Sequence, residues 1–284
     1  MDTKKIRKLQ EVEMNLLLEA DRICKELNIN YYLIGGTLLG AVRHGGFIPW
    51  DMDIDIAMVR EDYELFKAYC INNGHEDFFL QDQVTEKYHP VLHALFRLNG
   101  TKVVFRHDLK ERKRVANAGI YMDIFPLDFA PDSPREQNWQ RRKIRVVARL
   151  LELKRCRDYT GGKVKYVIKR FLSVLAQLIP FELLQNYVER VMQQYNNGKR
   201  EYIVSMASHY SYQKQYMPFE VYGEPRKIMF EGHEFSAPAK TEEYLTQLFG
   251  DYMQLPPVEK QRAMMETLEY VDFGKYATLE ACND

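Results

Sequence analysis

The 284-residue sequence has few cysteines, no net charge and no apolar run long enough to span a membrane. Its four cysteines lie far apart and form no CxxC pair. This argues against a disulfide framework or a zinc site and suits a reducing compartment. Forty Lys and Arg residues balance forty Asp and Glu residues, so no overall electrostatic field favours nucleic acid. We therefore expect no nucleic-acid partner.

The distribution of apolar residues points to a globular chain. Hydrophobic residues make up 46% of the sequence, and the longest apolar run is FLSVLAQLI at 171–179. That run is about half the length of a membrane span. The first fifteen residues are charged and lack the apolar core of a signal peptide. These features predict a soluble, cytoplasmic protein, large enough to bury a sizeable core.

The balance of charge does not hold locally. Residues 141–170 contain twelve basic and two acidic residues, a net charge of +10, and the apolar run 171–179 follows directly. Charge runs usually face water, which favours a solvated helix that leads into a buried one. The alternative is a peripheral membrane contact through 141–179, at the inner face of a membrane, with basic residues on anionic lipid.

Hydrophobic periodicity predicts a mixed α/β (α+β) fold. We expect a core of strands and flanking helices over 1–135, and a helical and mixed region over 136–284 that packs on this core and does not fold independently. The predicted helices are 5–28, 37–44, 60–70, 136–196 with breaks at 160–162 and Pro180, and 241–249. The predicted strands are 31–34, 53–58, 78–80, 93–98, 102–105 and 121–125, the last closed by Pro126.

The strongest local signal is the acidic run DMDID at 51–55. On a strand, side chains at i and i+2 share a face, so Asp51, Asp53 and Asp55 would form a ridge of carboxylates. Like charges at this spacing repel each other, and a divalent cation would offset them. The alternative is an exposed edge strand whose acids are solvated. The apolar residues that alternate with the acids favour a strand held against a core.

A glycine turn precedes the acidic run. Gly35, Gly36 and Thr37 end a predicted strand and open a predicted helix. Glycine lets the backbone approach a ligand, and a helix N-terminus presents free N–H groups to an anion. A tight turn followed by a helix cap would look the same. The position of this turn, about sixteen residues before the acid pair, favours a phosphate site beside a metal site.

These motifs together resemble the LicD family of the nucleotidyltransferase superfamily. The run GGTLLGAVRHGGFIPWDMDID at 35–55 is similar to the family signature, and DIFPLD at 123–128 is similar to its later acidic stretch. The C-terminal features resemble residues 230–232 and 244–257. One departure is Met52, which stands where the family usually has the middle one of three consecutive aspartates.

The resemblance implies a nucleotidyltransferase-like core sheet and a specific chemistry. Members transfer a phosphorylated alcohol, such as phosphocholine, from a CDP-activated donor to a glycan hydroxyl and release CMP. The implied acceptor is a glycan or a lipid-linked glycan, as in lipopolysaccharide or teichoic acid modification. Nucleotide transfer with release of pyrophosphate, or a member that only binds nucleotide or glycan, are the alternatives.

The resemblance also assigns roles to residues of this chain. Asp53 and Asp55 would hold Mg²⁺ or Mn²⁺, and Asp123 would complete the metal site and act as general base. Asp128 is a second candidate for the third carboxylate. The residues expected to bind the donor are Gly35, Gly36, Thr37, Arg43 and His44. If Met52 lies on the opposite face of the strand from Asp53 and Asp55, the metal site is retained.

Overall fold

A computed structural model describes residues 3–89, 91–106, 108–110, 117–155, 163–198 and 201–278, and of residues 110 and 163–165 it describes only the backbone. The predicted mixed α/β fold is confirmed. The predicted break at 160–162 lies outside the described residues.

The helices agree with the predicted ones in the first half of the chain. In the second half, the predicted helical region 136–196 consists of three separate helices. Their bounds are α1 Thr3–Leu27, α2 Gly35–His44, α3 Arg60–Asn73, α4 Pro134–Arg155, α5 Lys163–Gln177, α6 Phe181–Met192, α7 Tyr212–Gln215, α8 Phe219–Tyr222, α9 Thr241–Phe249 and α10 Val258–Met265.

The strands include several that the sequence pattern did not reveal in the C-terminal half. Their bounds are β1 Tyr32–Leu33, β2 Asp55–Val59, β3 Phe78–Gln81, β4 Ala94–Leu98, β5 Lys102–Phe105, β6 Tyr121–Phe129, β7 Tyr202–Val204, β8 Met217–Pro218, β9 Arg226–Phe230, β10 His233–Ala237 and β11 Leu268–Asp272.

A seven-stranded mixed sheet organises the molecule. Its main path runs β1-β2-β6-β4-β3, and β7 pairs with the end of β6 and with β8. Strands β2 and β6 are parallel, whereas the other neighbours in this sheet are antiparallel. Two further antiparallel pairs, β9–β10 and β5–β11, lie outside it.

The main hydrophobic core draws on both halves of the chain. Helix α1 contributes the buried stripe that includes Leu9, Leu16 and Leu17, as expected for an amphipathic helix. Phe235 and Tyr244, from the C-terminal half, are fully buried in the same core. The second half of the chain is therefore part of the structure that surrounds the sheet.

Two local expectations from the sequence were wrong. Strand β6 does not end at Pro126 but continues through it to Phe129. Pro126 lies opposite Met58 of the parallel neighbour β2, and on the other edge of β6 the pairing with β4 has already ended at Ala94, opposite Ile124. Only Asp55 of the acidic run belongs to β2, so Asp51 and Asp53 lie on the segment before the strand and do not extend a ridge along it.

The apolar run 171–179 was expected to form a buried helix, and the structure shows otherwise. Most of its side chains are exposed, Phe171 to 63% and Leu178 to 78%, and only Ser173 and Ala176 are buried. The run belongs to α5 and to the turn after it, which pack against the end of α4. Within the described residues, no helix is long and apolar enough to cross a membrane.

Candidate active site

Three aspartates meet at the junction of β2 and β6. Asp55 is the first residue of β2, and the parallel register places it directly opposite Asp123 of β6. Asp53 lies two residues before Asp55, where the Asp123 N–H donates to the Ile54 carbonyl over 2.8 Å. One carboxylate oxygen from each of Asp53, Asp55 and Asp123 lies within 4.8 Å of the other two. The structure thus brings the three predicted metal ligands together.

The N-terminus of α2 contacts this cluster, which we call the aspartate triad. The Asp55 N–H donates to the Thr37 hydroxyl over 2.8 Å, and the Asp55 carboxylate accepts a hydrogen bond from the Gly36 N–H. Gly35 has a φ of +54°, and a Cβ there would lie 2.6 Å from Asp55 Oδ2. A larger residue would therefore have to displace the carboxylate, which explains the glycine.

The electrostatics of the triad disfavour three unpaired negative charges. Burial raises the pKa of Asp53 well above its usual value, and the charges of Asp51, Asp55 and Asp123 raise it further. Burial, followed by the charges of Asp123 and Asp51, also raises the pKa of Asp55, although the Gly36 N–H opposes this. Desolvation and like charges both favour the protonated acid. The ionised triad requires positive charge nearby.

A further carboxyl group lies beneath the triad. Glu13 of α1 is 2% exposed, and its Oε2 has no hydrogen-bond partner among the described residues. Burial raises the pKa of Glu13 well above its usual value, with further contributions from Asp51 and Asp123. Gln10, one turn earlier, donates to the Ile48 and Asp51 carbonyls and so fixes the loop before Asp53. No spacing in the sequence related α1 to this site.

The triad fits a divalent cation. Carboxylate oxygens are the ligands that Mg²⁺ prefers, and oxygens bound to one Mg²⁺ lie at most about 4.2 Å apart. In the triad, one oxygen of each carboxylate lies within 4.8 Å of the other two. No Lys or Arg in the described ranges forms a salt bridge with Asp53 or Asp55. Among the residues that the structure describes, no neighbouring side chain therefore supplies the positive charge that Asp53 and Asp55 need.

His93 orients the third carboxylate. Its Nε2 lies 2.7 Å from Asp123 Oδ1, and its ring packs on Phe125 with centroids 4.1 Å apart. The His89 Nε2–H donates to the His93 carbonyl, and burial lowers the pKa of His89 to about 3, so His89 is neutral. No ligand spacing in the sequence marked either histidine. His93 and Asp123 lie far apart along the chain and meet only because β4 pairs with β6 in the sheet.

The triad lines a cavity of about 1300 Å³. The wall also contains His93, Arg97 and His209. Arg97 is 5% exposed, donates to Gln81 Oε1 and to the Gly119 carbonyl, and stacks over the Tyr121 ring at 4.7 Å. A lone arginine in the apolar strand β4 was the sequence signal that could have identified it. A buried guanidinium so positioned is suited to bind a phosphate.

Arg43 and His44 lie at the opposite end of α2 from Gly35, about 13 Å along the helix axis. Arg43 donates to the Tyr252 carbonyl over 2.8 Å and to the Gln254 carbonyl over 3.4 Å. The His44 ring packs edge-on against Trp50. Neither residue is among the described residues that line the 1300 Å³ cavity.

Asp128 is held elsewhere. It lies five residues after Asp123 on β6, is fully buried, and accepts two hydrogen bonds from the Arg60 guanidinium, at 2.8 and 2.6 Å. A bidentate pair of this kind is a structural ion pair. The geometry therefore places Asp123 beside Asp53 and Asp55, and it places Asp128 beside Arg60.

Comparisons with known proteins identify the family to which the chain is similar. A family described as LicD/FKTN/FKRP, nucleotidyltransferase domain, matches residues 28–148. The lipopolysaccharide cholinephosphotransferase LicD of Haemophilus influenzae is 33% identical over 261 residues, which cover 90% of this chain and 94% of the relative. The human ribitol 5-phosphate transferase FKRP is 48% identical over 40 residues, 14% of this chain and 8% of the relative.

Proposed function

The chain belongs to the LicD family, and we propose that it is a metal-dependent phosphotransferase. In this proposal it transfers a phosphorylated alcohol from a CDP-activated donor to a glycan hydroxyl and releases CMP. The observation that carries the proposal is the convergence of Asp53, Asp55 and Asp123 on the wall of one large cavity. The relative that matches along most of the chain is named for the transfer of phosphocholine to lipopolysaccharide.

The residues of the triad have distinct roles in this reaction. Asp53 and Asp55 would hold Mg²⁺ or Mn²⁺, and the bound ion would offset the negative charge of the donor diphosphate. Asp123 would accept the proton of the acceptor hydroxyl as its oxygen attacks the phosphorus that carries the alcohol. The bond between that phosphorus and the CMP oxygen breaks, and CMP leaves. His93 keeps the Asp123 carboxylate directed at the cavity.

Other residues would bind the donor. The positive end of the α2 dipole, at Gly35, Gly36 and Thr37, would favour a negatively charged donor group close to the triad, while the Gly35 and Gly36 N–H groups already donate to Tyr244 and Asp55. Arg97 would bind the diphosphate from the cavity wall. Arg43 and His44, predicted from the sequence as donor contacts, would act at the far end of α2, away from the reacting phosphorus.

The reaction is tested by incubating the protein and Mg²⁺ with a panel of CDP-alcohols and a glycan acceptor. CDP-choline and CDP-ribitol head the panel, because relatives are named for choline phosphate and ribitol 5-phosphate transfer. We expect CMP as the nucleotide product, measured by anion-exchange chromatography. Pyrophosphate as the product would instead show nucleotide transfer, and donor binding without any product would show a member that only binds.

A further inference from the structure

Helix α5 exposes its apolar side, whereas an ordinary surface helix buries it. Among Tyr166–Gln177 only Ser173 and Ala176 are buried, and all the other residues are exposed. An amphipathic helix in a globular protein normally buries its apolar stripe and exposes its polar one. Here the small and polar side faces the protein, and the apolar side faces outward.

Specific hydrogen bonds hold α5 in this orientation. The Ser173 hydroxyl donates to the Leu153 carbonyl over 2.9 Å, and Gln177 donates to the Lys154 carbonyl over 3.2 Å. The Lys154 ammonium, itself 5% exposed, donates to the Ala176 and Ile179 carbonyls at 2.8 and 2.7 Å. A rotation of α5 that buried its apolar side would break these contacts, so the fold specifies the outward apolar face.

The outward face is broad and continuous. At 3.6 residues per turn, the exposed aliphatic residues and the phenylalanine of α5 fall within an arc of about 160°, opposite Ser173 and Ala176. These residues are Val167, Ile168, Phe171, Leu172, Val174 and Leu175, with exposures from 43% to 64%. Two further exposed apolar residues follow along the chain, Leu178 at 78% exposure and Leu183 at 60%. We call these eight residues the α5 apolar surface.

The surroundings of this surface are strongly basic. Helix α5 contains four Lys or Arg residues and no acidic residue. On the neighbouring helix α4, Arg142, Arg145 and Arg149 are exposed. The stretch 141–170 carries a net charge of +10. A second copy of the chain docked on the same surface would bring two such basic stretches together, whereas an anionic lipid surface would attract them.

We propose that the α5 apolar surface docks on an anionic membrane. The helix would lie in the plane of the interface, with its apolar side at the boundary between headgroups and acyl chains and the basic residues at the level of the phosphates. Contiguous exposed apolar surface of this kind marks an interaction site. The inference rests on burial and charge alone and does not depend on the transferase reaction.

The α5 apolar surface is connected to the candidate active site through the end of α4. Arg155, the last residue of α4, lines the 1300 Å³ cavity beside the aspartate triad. Lys154, its neighbour, is the residue that anchors the end of α5. Docking through α5 would therefore attach one wall of the cavity to the membrane surface.

The test is co-sedimentation of the full chain with vesicles. We expect binding to vesicles of phosphatidylglycerol and phosphatidylcholine, little binding to phosphatidylcholine alone, and weaker binding at physiological salt than at low salt. Val167→Glu with Phe171→Glu should lower the partition coefficient at least about tenfold, since each side chain loses apolar burial and adds repulsion. Arg142→Gln with Arg149→Gln should lower it about fivefold per charge at low salt.

A matched control uses exposed apolar residues elsewhere. Leu65→Glu with Val258→Glu changes residues that are 56% and 54% exposed, on α3 and α10, and should leave vesicle binding unchanged. Circular dichroism should show the same unfolding midpoint for all variants, because every altered side chain is exposed. Equal binding to neutral vesicles, no binding to either, or unchanged binding of the α5 glutamate pair would overturn the proposal. So would a dimer, detected by light scattering, that this pair converts to a monomer.

Discussion

Asp53 and Asp55 lie close enough to Asp123 for their charges to oppose one another, and burial strengthens this effect. Asp53→Asn and Asp55→Asn remove one negative charge with little change in shape. We expect CMP release to fall on the order of 10²-fold or more, because an asparagine holds a divalent cation less strongly. The metal-free protein should be as stable as the wild type or more so, because repulsion is relieved.

Thermal unfolding with and without Mg²⁺ provides the second measurement for these variants. Mg²⁺ should raise the unfolding midpoint of the wild type and not that of either variant, since only a bound ligand stabilises the folded state. Glu259→Gln, at an exposed position on α10, is the control and should behave as the wild type. A variant with full activity and an unchanged Mg²⁺ response would exclude its aspartate as a metal ligand.

Met52 is the departure from the family pattern, and the structure shows that it is a core residue. It is 8% exposed and packs in the main hydrophobic core, while Asp53 faces the cavity. Met52→Asp should therefore lower the free energy of unfolding by roughly 1–3 kcal/mol, the cost of an unpaired buried polar group. Urea titration measures this change. A large gain in transferase activity would show instead that Met52 impairs the site.

At the scale of elements, Glu231 joins α1, the loop after α2 and the β9–β10 hairpin. It accepts two hydrogen bonds from Arg7, at 3.0 and 2.7 Å, and one from the Phe47 N–H at 2.9 Å. Burial opposes ionisation of Glu231, but the hydrogen bonds from Arg7 and from the Phe47 N–H outweigh it and lower the pKa. Glu231→Gln should lower the free energy of unfolding at neutral pH by about 1 kcal/mol, since Arg7 is half-exposed.

The same pKa shift gives the pH dependence of this effect. Because the folded pKa of Glu231 is below the unfolded one, its ionised form stabilises the fold above the unfolded pKa of about 4.3. That contribution is lost as the pH falls through the lowered folded pKa. The difference between wild type and Glu231→Gln should therefore shrink below about pH 4. Urea titrations across this range measure it, and a difference that grows on acidification would contradict the assignment.

The elements of the first half of the chain could be predicted because their patterns are local. The apolar stripe of α1, the glycine turn before α2 and the apolar run of β4 each depend on residues a few positions apart. The strands β7, β9 and β11 could not be predicted, since each is short and pairs with a partner far along the chain or lies among prolines. The exposed run 171–179 was misjudged because its apolar periodicity is the same for either orientation of the helix.

At the scale of the whole molecule, the two halves of the chain share one core. The Tyr244 hydroxyl accepts a hydrogen bond from the Gly35 N–H, the Tyr32 hydroxyl donates to the Gly223 carbonyl, and β5 pairs with β11. Tyr222, Tyr244, Phe230 and Phe235 are fully buried. At about 1.5–3 kcal/mol each, these four side chains contribute as much as the whole net stability of a typical domain, about 5–15 kcal/mol.

A fragment of residues 1–135 should therefore not fold on its own. We expect no cooperative thermal transition by circular dichroism and poor dispersion of its amide proton spectrum, whereas the full chain should show both. The fragment exposes the apolar faces that the C-terminal half covers, and aggregation should follow. A cooperative transition of the isolated fragment would show that the first half is an independent domain.

The sequence by itself determined which residue types could do the chemistry. It contains the glycine turn, the acid pair Asp53 and Asp55, and a second acidic stretch on a later strand, all readable because helix and strand periods are local properties of the chain. Their resemblance to a family signature was enough to indicate the reaction class. The second acidic stretch offered two candidates, and the sequence favoured Asp123 because Asp128 lies beyond Pro126, but it did not decide between them.

Only the tertiary structure decided which residues meet. The parallel register of β2 and β6 places Asp123 opposite Asp55 and leaves Asp128 for Arg60. The sheet brings His93 to Asp123, and the packing of α4 against α5 turns an apolar face outward. These outcomes depend on contacts between residues tens of positions apart, whose free energies come from the assembled core rather than from any local pattern.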